Sequence, residues 1–139
     1  MEREIKFRGK RDSGLNDWVY GSLITAENSV DGKTYIVTKE MDIYTGEYNT
    51  IYVQVKPETV GQYIQLKDKN GVEIYEGDIL KIDKEEPVMV MYEKIYASFG
   101  IWRNGWSFLH YFHEYIEPGE CEVVGNIYDE DQNAEKDWL

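Results

Sequence analysis

The stretch Leu66-Lys67-Asp68-Lys69-Asn70-Gly71-Val72-Glu73-Ile74-Tyr75-Glu76-Gly77-Asp78-Ile79-Leu80-Lys81-Ile82 decides the fold. Two turn signals, Asn70-Gly71 and Glu76-Gly77, cut it into short runs rich in Ile, Leu, Val and Tyr. Asn-Gly is a strong hairpin signal, because two-residue hairpin turns need positive φ and these residues accept it cheaply. Short β-prone runs bounded by such turns read as strands, here 62–67, 72–75 and 78–83. Ile74 to Ile82 has the look of the entry to a small SH3-type barrel, in which short strands close and bury their edges.

The same pattern extends outward in both directions. Ile51, Val53 and Val55 alternate with Thr50, Tyr52 and Gln54, and Ile5 and Phe7 alternate with Lys6 and Arg8. Ala97, Phe99 and Ile101 share one predicted face, with Tyr96, Ser98 and Trp102 on the other. Period-2 alternation of this kind is the mark of half-buried strands. Further strands are predicted at 4–9, 17–25, 33–39, 49–55, 87–94, 96–102, 106–112 and 121–128. Turn chemistry at Asp31-Gly32, Thr45-Gly46 and Asn104-Gly105 separates several of them. Pro57 and Gly61 suit the start and stop of a single helical turn. Trp106, Phe108, Leu109, Phe112 and Ile116 could equally line a helical face.

The expected fold is therefore all-β or β-dominated. An N-terminal β-meander (1–61) packs on a C-terminal SH3-type β-barrel (62–128), and an acidic tail (129–139) follows. A chain of 139 residues fits one domain or two small subdomains. At this size roughly two-thirds of the unfolded surface is buried, so no covalent staple is needed. Cys121 is the only cysteine, which excludes an internal disulfide and a CxxC zinc site. It reads as a small strand residue rather than a reactive thiol. Met1-Glu2-Arg3-Glu4 is charged and no apolar run follows, so a cytoplasmic protein without a membrane span is expected.

The net charge of −12 repels phosphate backbones and argues against direct nucleic-acid binding. Residues 1–14 run against this trend, with five basic residues facing three acidic ones. Arg3, Lys6, Arg8, Lys10 and Arg11 are read there as a solvated face or as internal salt-bridge partners.

A search for chemistry nominates no reaction, and no catalytic or cofactor-binding residue is assigned. Gly100 to Ser107 has phosphate-loop spacing, but Trp106 stands where the lysine must be. His110, His113 and Glu114 could grip a metal only from one helical face, and two histidines fall short of the usual zinc set. Asp68-Lys69-Asn70-Gly71 matches the middle of a calcium loop, but Leu66 occupies the first ligand position. It is read as a hairpin turn.

Several blocks carry a resemblance. They are Glu4 to Arg11 (EIKFRGKR), Trp18 to Leu23 (WVYGSL), Pro57 to Tyr63 (PETVGQY), Leu66 to Ile79, and Val124 to Tyr128 (VGNIY). Together they resemble the YopX family of bacteriophage and prophage proteins, at the start, middle and end of the chain. The resemblance implies a phage-encoded protein of unknown biochemical function, with a C-terminal SH3-type barrel and no catalytic residues to transfer. One departure stands out: family members often place glycine where this chain has Gln65.

The expected function is that of a phage accessory protein that binds an unidentified host or phage protein, one carrying a basic face. An acidic mimic of nucleic acid that occupies a host DNA-binding protein is one alternative. A small enzyme or metal protein using His110 and His113 is another. Trp102, Trp106, Phe108 and Tyr111 are the candidate contact residues, in a run of aromatics too dense for a small barrel to bury. A homo-oligomer is expected for the same reason.

Overall fold

The computed structural model describes residues 3–83, 85–94, 96–103, 110–111 and 117–129. Among these the regular structure is strand, with short 3₁₀ turns at Ala26–Asn28, Pro57–Thr59 and Pro118–Glu120. The eleven strands are β1 (Phe7–Lys10), β2 (Trp18–Ile24), β3 (Tyr35–Met41), β4 (Tyr48–Gln54), β5 (Gly61–Lys67), β6 (Glu73–Tyr75), β7 (Asp78–Ile82), β8 (Val88–Glu93), β9 (Ser98–Trp102), β10 (His110–Tyr111) and β11 (Cys121–Asn126). Every ladder is antiparallel. The fold is all-β, as the alternation predicts. The chain divides into two compact units, Met1–Gln62 and Tyr63–Leu139.

In the first unit the strand order is β4-β3-β2-β1, and β1 also pairs with the first residues of β5 (Phe7↔Gln62, Arg8↔Gly61). The sheet curls at one end, where Arg11 bridges Val55. There the Asp12 N–H donates to the Gln54 carbonyl (3.0 Å) and the Lys56 N–H to the Lys10 carbonyl (2.8 Å). Val19, Ile36, Val53 and Val55 form the buried core, flanked by Phe7, Leu23, Ile51 and Val60.

The basic first strand departs from expectation. Ile5 lies ahead of β1 and is exposed, whereas Arg8 and Lys10 are each only 5% exposed. Part of their cover is the Trp18 indole. The Arg8 guanidinium lies 4.3 Å from the Trp18 ring centre and the Lys10 ammonium 5.4 Å. The aliphatic stems are covered while each cation faces a π system.

The second unit holds a five-stranded sheet in the order β10-β9-β8-β7-β11, together with the hairpin of β5 and β6, joined by Tyr63↔Tyr75 and Lys67↔Glu73. Its core is Ile64, Ile74, Leu80, Ile82, Val88, Val90, Ile101 and Cys121. Leu80, Val88 and Ile101 are fully buried, each worth roughly 1.5–3 kcal/mol of burial. Ala97 was expected within a strand face, but it sits in the β8–β9 turn at φ +49° and the strand starts at Ser98. The predicted strand at 106–112 is described only as the two residues of β10. The acidic tail lies outside the described residues beyond Asp129.

Gln65 has φ +75°, inside the register shift between β5 and β6. A side chain in this region costs on the order of 1 kcal/mol or more, which glycine does not incur. Glycine at this position would carry no such cost. Gln65→Gly is expected to raise the stability of the second unit by about 1 kcal/mol, read as a higher urea midpoint with an unchanged slope.

Candidate binding surface

The contact residues expected from the sequence fare unevenly. Trp102 ends β9 opposite Met89 and is half-buried. Tyr111 and His110 lie in β10, opposite Gly100 and Ile101. Trp106, Phe108, His113 and Glu114 lie outside the described residues. Among the described residues no group of three or more His, Cys, Asp or Glu is placed to hold a metal ion.

Of the exposed aromatics that are described, Tyr20, Tyr44, Tyr48 and Tyr52 lie in the first unit and Tyr92 and Tyr96 in the second. Side chains alternate across β4, so Ile51 and Val53 turn inward while Tyr48 and Tyr52 turn outward, each 63% exposed. Met41 at the end of β3 and Ile43 and Tyr44 in the β3–β4 connection are also exposed. On the same face lies a groove of about 420 Å³, lined by Ile24, Asn28, Ser29, Val30, Asp31, Tyr35 and Tyr52.

One wall of this groove is the segment after β2, and local hydrogen bonds hold it. The Asn28 N–H donates to the Thr25 carbonyl (3.0 Å) and the Ser29 hydroxyl to the Ala26 carbonyl (3.2 Å). At the far end the Tyr35 hydroxyl donates to the Asp31 carboxylate, which also accepts the Lys33 N–H at 3.1 Å. The tyrosine hydrogen bond holds Asp31 below the usual carboxylate range, and the same bond raises the Tyr35 phenol. The pair stays anionic at Asp31 and neutral at Tyr35 near neutrality. Val30 projects fully into solvent at the rim. The result is a mostly apolar trough with one fixed carboxylate, which suits an apolar side chain with a donor beside it.

The blocks that carry the family resemblance have structural work. Asp68 is 6% exposed and its carboxylate accepts three backbone N–H groups, from Asn70 (2.8 Å), Val72 (2.9 Å) and Val123 (2.9 Å). It closes the β5–β6 turn and ties that turn to β11, so its oxygens are committed to the backbone. Burial pushes the Asp68 carboxyl up, but the three donors together with Lys69 outweigh it and hold it below the ordinary range. Gly77 has φ +92°, and a Cβ there would meet Tyr128 at 3.0 Å. The Gly77 N–H donates to the Val90 carbonyl and its own carbonyl accepts from Ile127. Cys121 is fully buried, and burial, with Asp68 nearby, pushes its thiol up to about 11. A thiol so placed is a packing residue.

Charge is divided unequally. Residues 1–62 carry eight basic and ten acidic residues, whereas residues 63–139 carry seven basic and seventeen acidic. The acidity therefore belongs to the second unit. The described residues include no helix long and apolar enough to cross a membrane.

Comparison with known proteins agrees with this architecture. The family model described as YopX protein matches residues 6–133. The crystal structure of protein EF1440 from Enterococcus faecalis is similar over 94% of this chain and 98% of that one, with a TM-score of 0.57 and 22% identity. At that identity the likeness speaks for the fold. No curated protein matches the chain.

Proposed function

The chain belongs to the YopX family, and from that premise we propose that it is a non-catalytic, phage-encoded accessory protein that binds a host or phage protein carrying a basic face. The observation that carries this reading is the apolar groove of Ile24, Val30, Tyr35 and Tyr52 with its adjoining exposed tyrosines. Exposed aromatic patches next to a shaped groove are what interface anchors need. The charge of −12 supplies the long-range part, since opposite fields speed encounter. We also assign the second unit to the SH3-type barrels. Support comes from the β7-β8-β9 meander with β11 returning to pair with β7. The acidity of that unit favours a second reading, nucleic-acid mimicry, which predicts a DNA-binding protein as the partner.

The test is affinity capture from the host, followed by measured affinity for the partner recovered. Tyr52→Ala truncates a side chain 63% exposed, so the fold is expected to persist. Loss of such an anchor weakens binding by about 2 kcal/mol, roughly thirtyfold. Unchanged affinity in Tyr52→Ala and Val30→Asp would remove the groove from the account.

A further inference from the structure

We propose that β4 is a dimerisation edge, along which two copies of this chain pair antiparallel about a two-fold axis at Thr50. Pairing with β3 leaves part of the β4 backbone unused. In an antiparallel ladder, opposed residues alternate between pairs that exchange two hydrogen bonds and pairs whose N–H and C=O point away from each other. The phase of this ladder is fixed at both ends. The Asp42 N–H donates to the Glu47 carbonyl (2.8 Å) and the Val55 N–H to the Thr34 carbonyl (3.0 Å), so these are bonded pairs. Between them the register runs Met41↔Tyr48, Lys39↔Thr50, Val37↔Tyr52 and Tyr35↔Gln54. These four are the non-bonded pairs, and the outward carbonyl of Gln54 confirms the phase by accepting the Asp12 N–H.

Tyr48, Thr50 and Tyr52 therefore present their N–H and C=O groups to the open side of the sheet, where β4 is the edge strand. Among the described residues no backbone group pairs with them there. The open window is bounded by the turn from Asp42 to Glu47 at one end and by the Asp12–Gln54 hydrogen bond at the other. Its midpoint is Thr50. A second β4 laid antiparallel with Thr50 opposite Thr50 places Tyr48 opposite Tyr52 and Tyr52 opposite Tyr48. All three opposed pairs are then of the bonded type, giving about six main-chain hydrogen bonds. The tyrosines also become direct cross-strand neighbours, a favoured aromatic pair.

Charge selects a second copy as the occupant. The segment Tyr48–Val55 (YNTIYVQV) contains no charged residue and no proline. Natural sheet edges are guarded by lysine, proline or a cover, and this one has neither guard in its own sequence. Two chains of −12 can meet along it because the acidity sits in residues 63–139, while the unit that holds β4 is close to neutral. The groove lined by Arg11, Asp12, Ser13, Tyr52, Val53 and Gln54, about 340 Å³, adjoins the end of the window where the turn of the second copy would arrive. The pairing uses the strand edge and does not depend on the partner of the proposed function.

Sedimentation velocity on the full chain over a concentration series tests it. A dimer that dissociates on dilution is expected. Thr50→Lys sets two ammonium groups directly opposite each other, and Thr50→Pro removes an N–H that β3 does not use. Both are expected to abolish the dimer while circular dichroism and thermal unfolding stay those of the parent. Thr50→Cys is expected to give a disulfide-linked dimer under mild oxidation, since bonded pairs lie about 5.5 Å apart between Cα atoms. Asn49→Cys, which this register sets opposite Ile51 and only diagonal to its own copy, is expected not to, and buried Cys121 does not contribute. A strictly monomeric parent chain, a dimer that survives both Thr50→Lys and Thr50→Pro, or equal cross-linking of Asn49→Cys overturns the proposal. A monomer whose edge is filled by a segment of another protein is one form of the first of these results.

Discussion

Asp68→Ala is expected to destabilise the second unit by about 3 kcal/mol, since hydrogen bonds to a charged acceptor are worth more than neutral ones. Three backbone N–H groups from two separate segments lose their acceptor at once. Asp68→Asn keeps one acceptor oxygen and the side-chain volume, and about half that loss is expected. The same carboxylate gives the protein an acid-sensitive element. Its folded pKa is depressed below the ordinary 3.8. The stability it contributes is therefore fully present above the unfolded pKa and is lost as pH falls through the folded one. Urea unfolding of the parent and Asp68→Asn at neutral pH and near pH 3 checks this: the gap between the two proteins narrows in acid. A gap that does not change with pH contradicts the assignment of charge to Asp68.

Gly21→Ala is expected to be as damaging in the first unit, at about 3 kcal/mol or more. Gly21 lies in β2 opposite Phe7 of β1. A Cβ placed there falls well inside the van der Waals radius of the Val37 carbonyl oxygen and 2.9 Å from its carbonyl carbon. Both are backbone atoms of β3, so no side chain can swing aside and the β2–β3 ladder must shift. Loss of soluble yield, or of thermal unfolding cooperativity, is the expected observation. A normally folded Gly21→Ala protein would mean that β2 and β3 are farther apart than described.

The strands were legible because their information is local. The alternation of Ile51, Val53 and Val55 with Thr50, Tyr52 and Gln54 needs no tertiary knowledge, and Gly77 announces its turn directly. Asp68 was legible as a turn residue but not as the tie to β11, because Val123 lies 55 residues away. For Arg8 and Lys10 the solvated-face alternative fails for a related reason. Alternation assigns charged residues to solvent, and only the pairing Lys10↔Trp18 shows the indole that covers them. Gln65 was noticed as a departure, but its cause is a backbone dihedral that composition cannot reveal. The groove was missed because it joins Ile24, Val30 and Tyr52, none of which is unusual in its own segment.

The account rests on the outer face of the first unit as the binding surface. Parallel affinity capture with the parent chain, Val30→Asp and Trp102→Ala tests it most directly. Val30→Asp places a charge at the groove rim without touching the β4 edge, so it separates partner binding from self-association. The account predicts that Val30→Asp loses the captured partner while remaining folded, and that Trp102→Ala keeps it. Retention by Val30→Asp together with loss from a folded Trp102→Ala protein would contradict it and return the binding surface to the second unit.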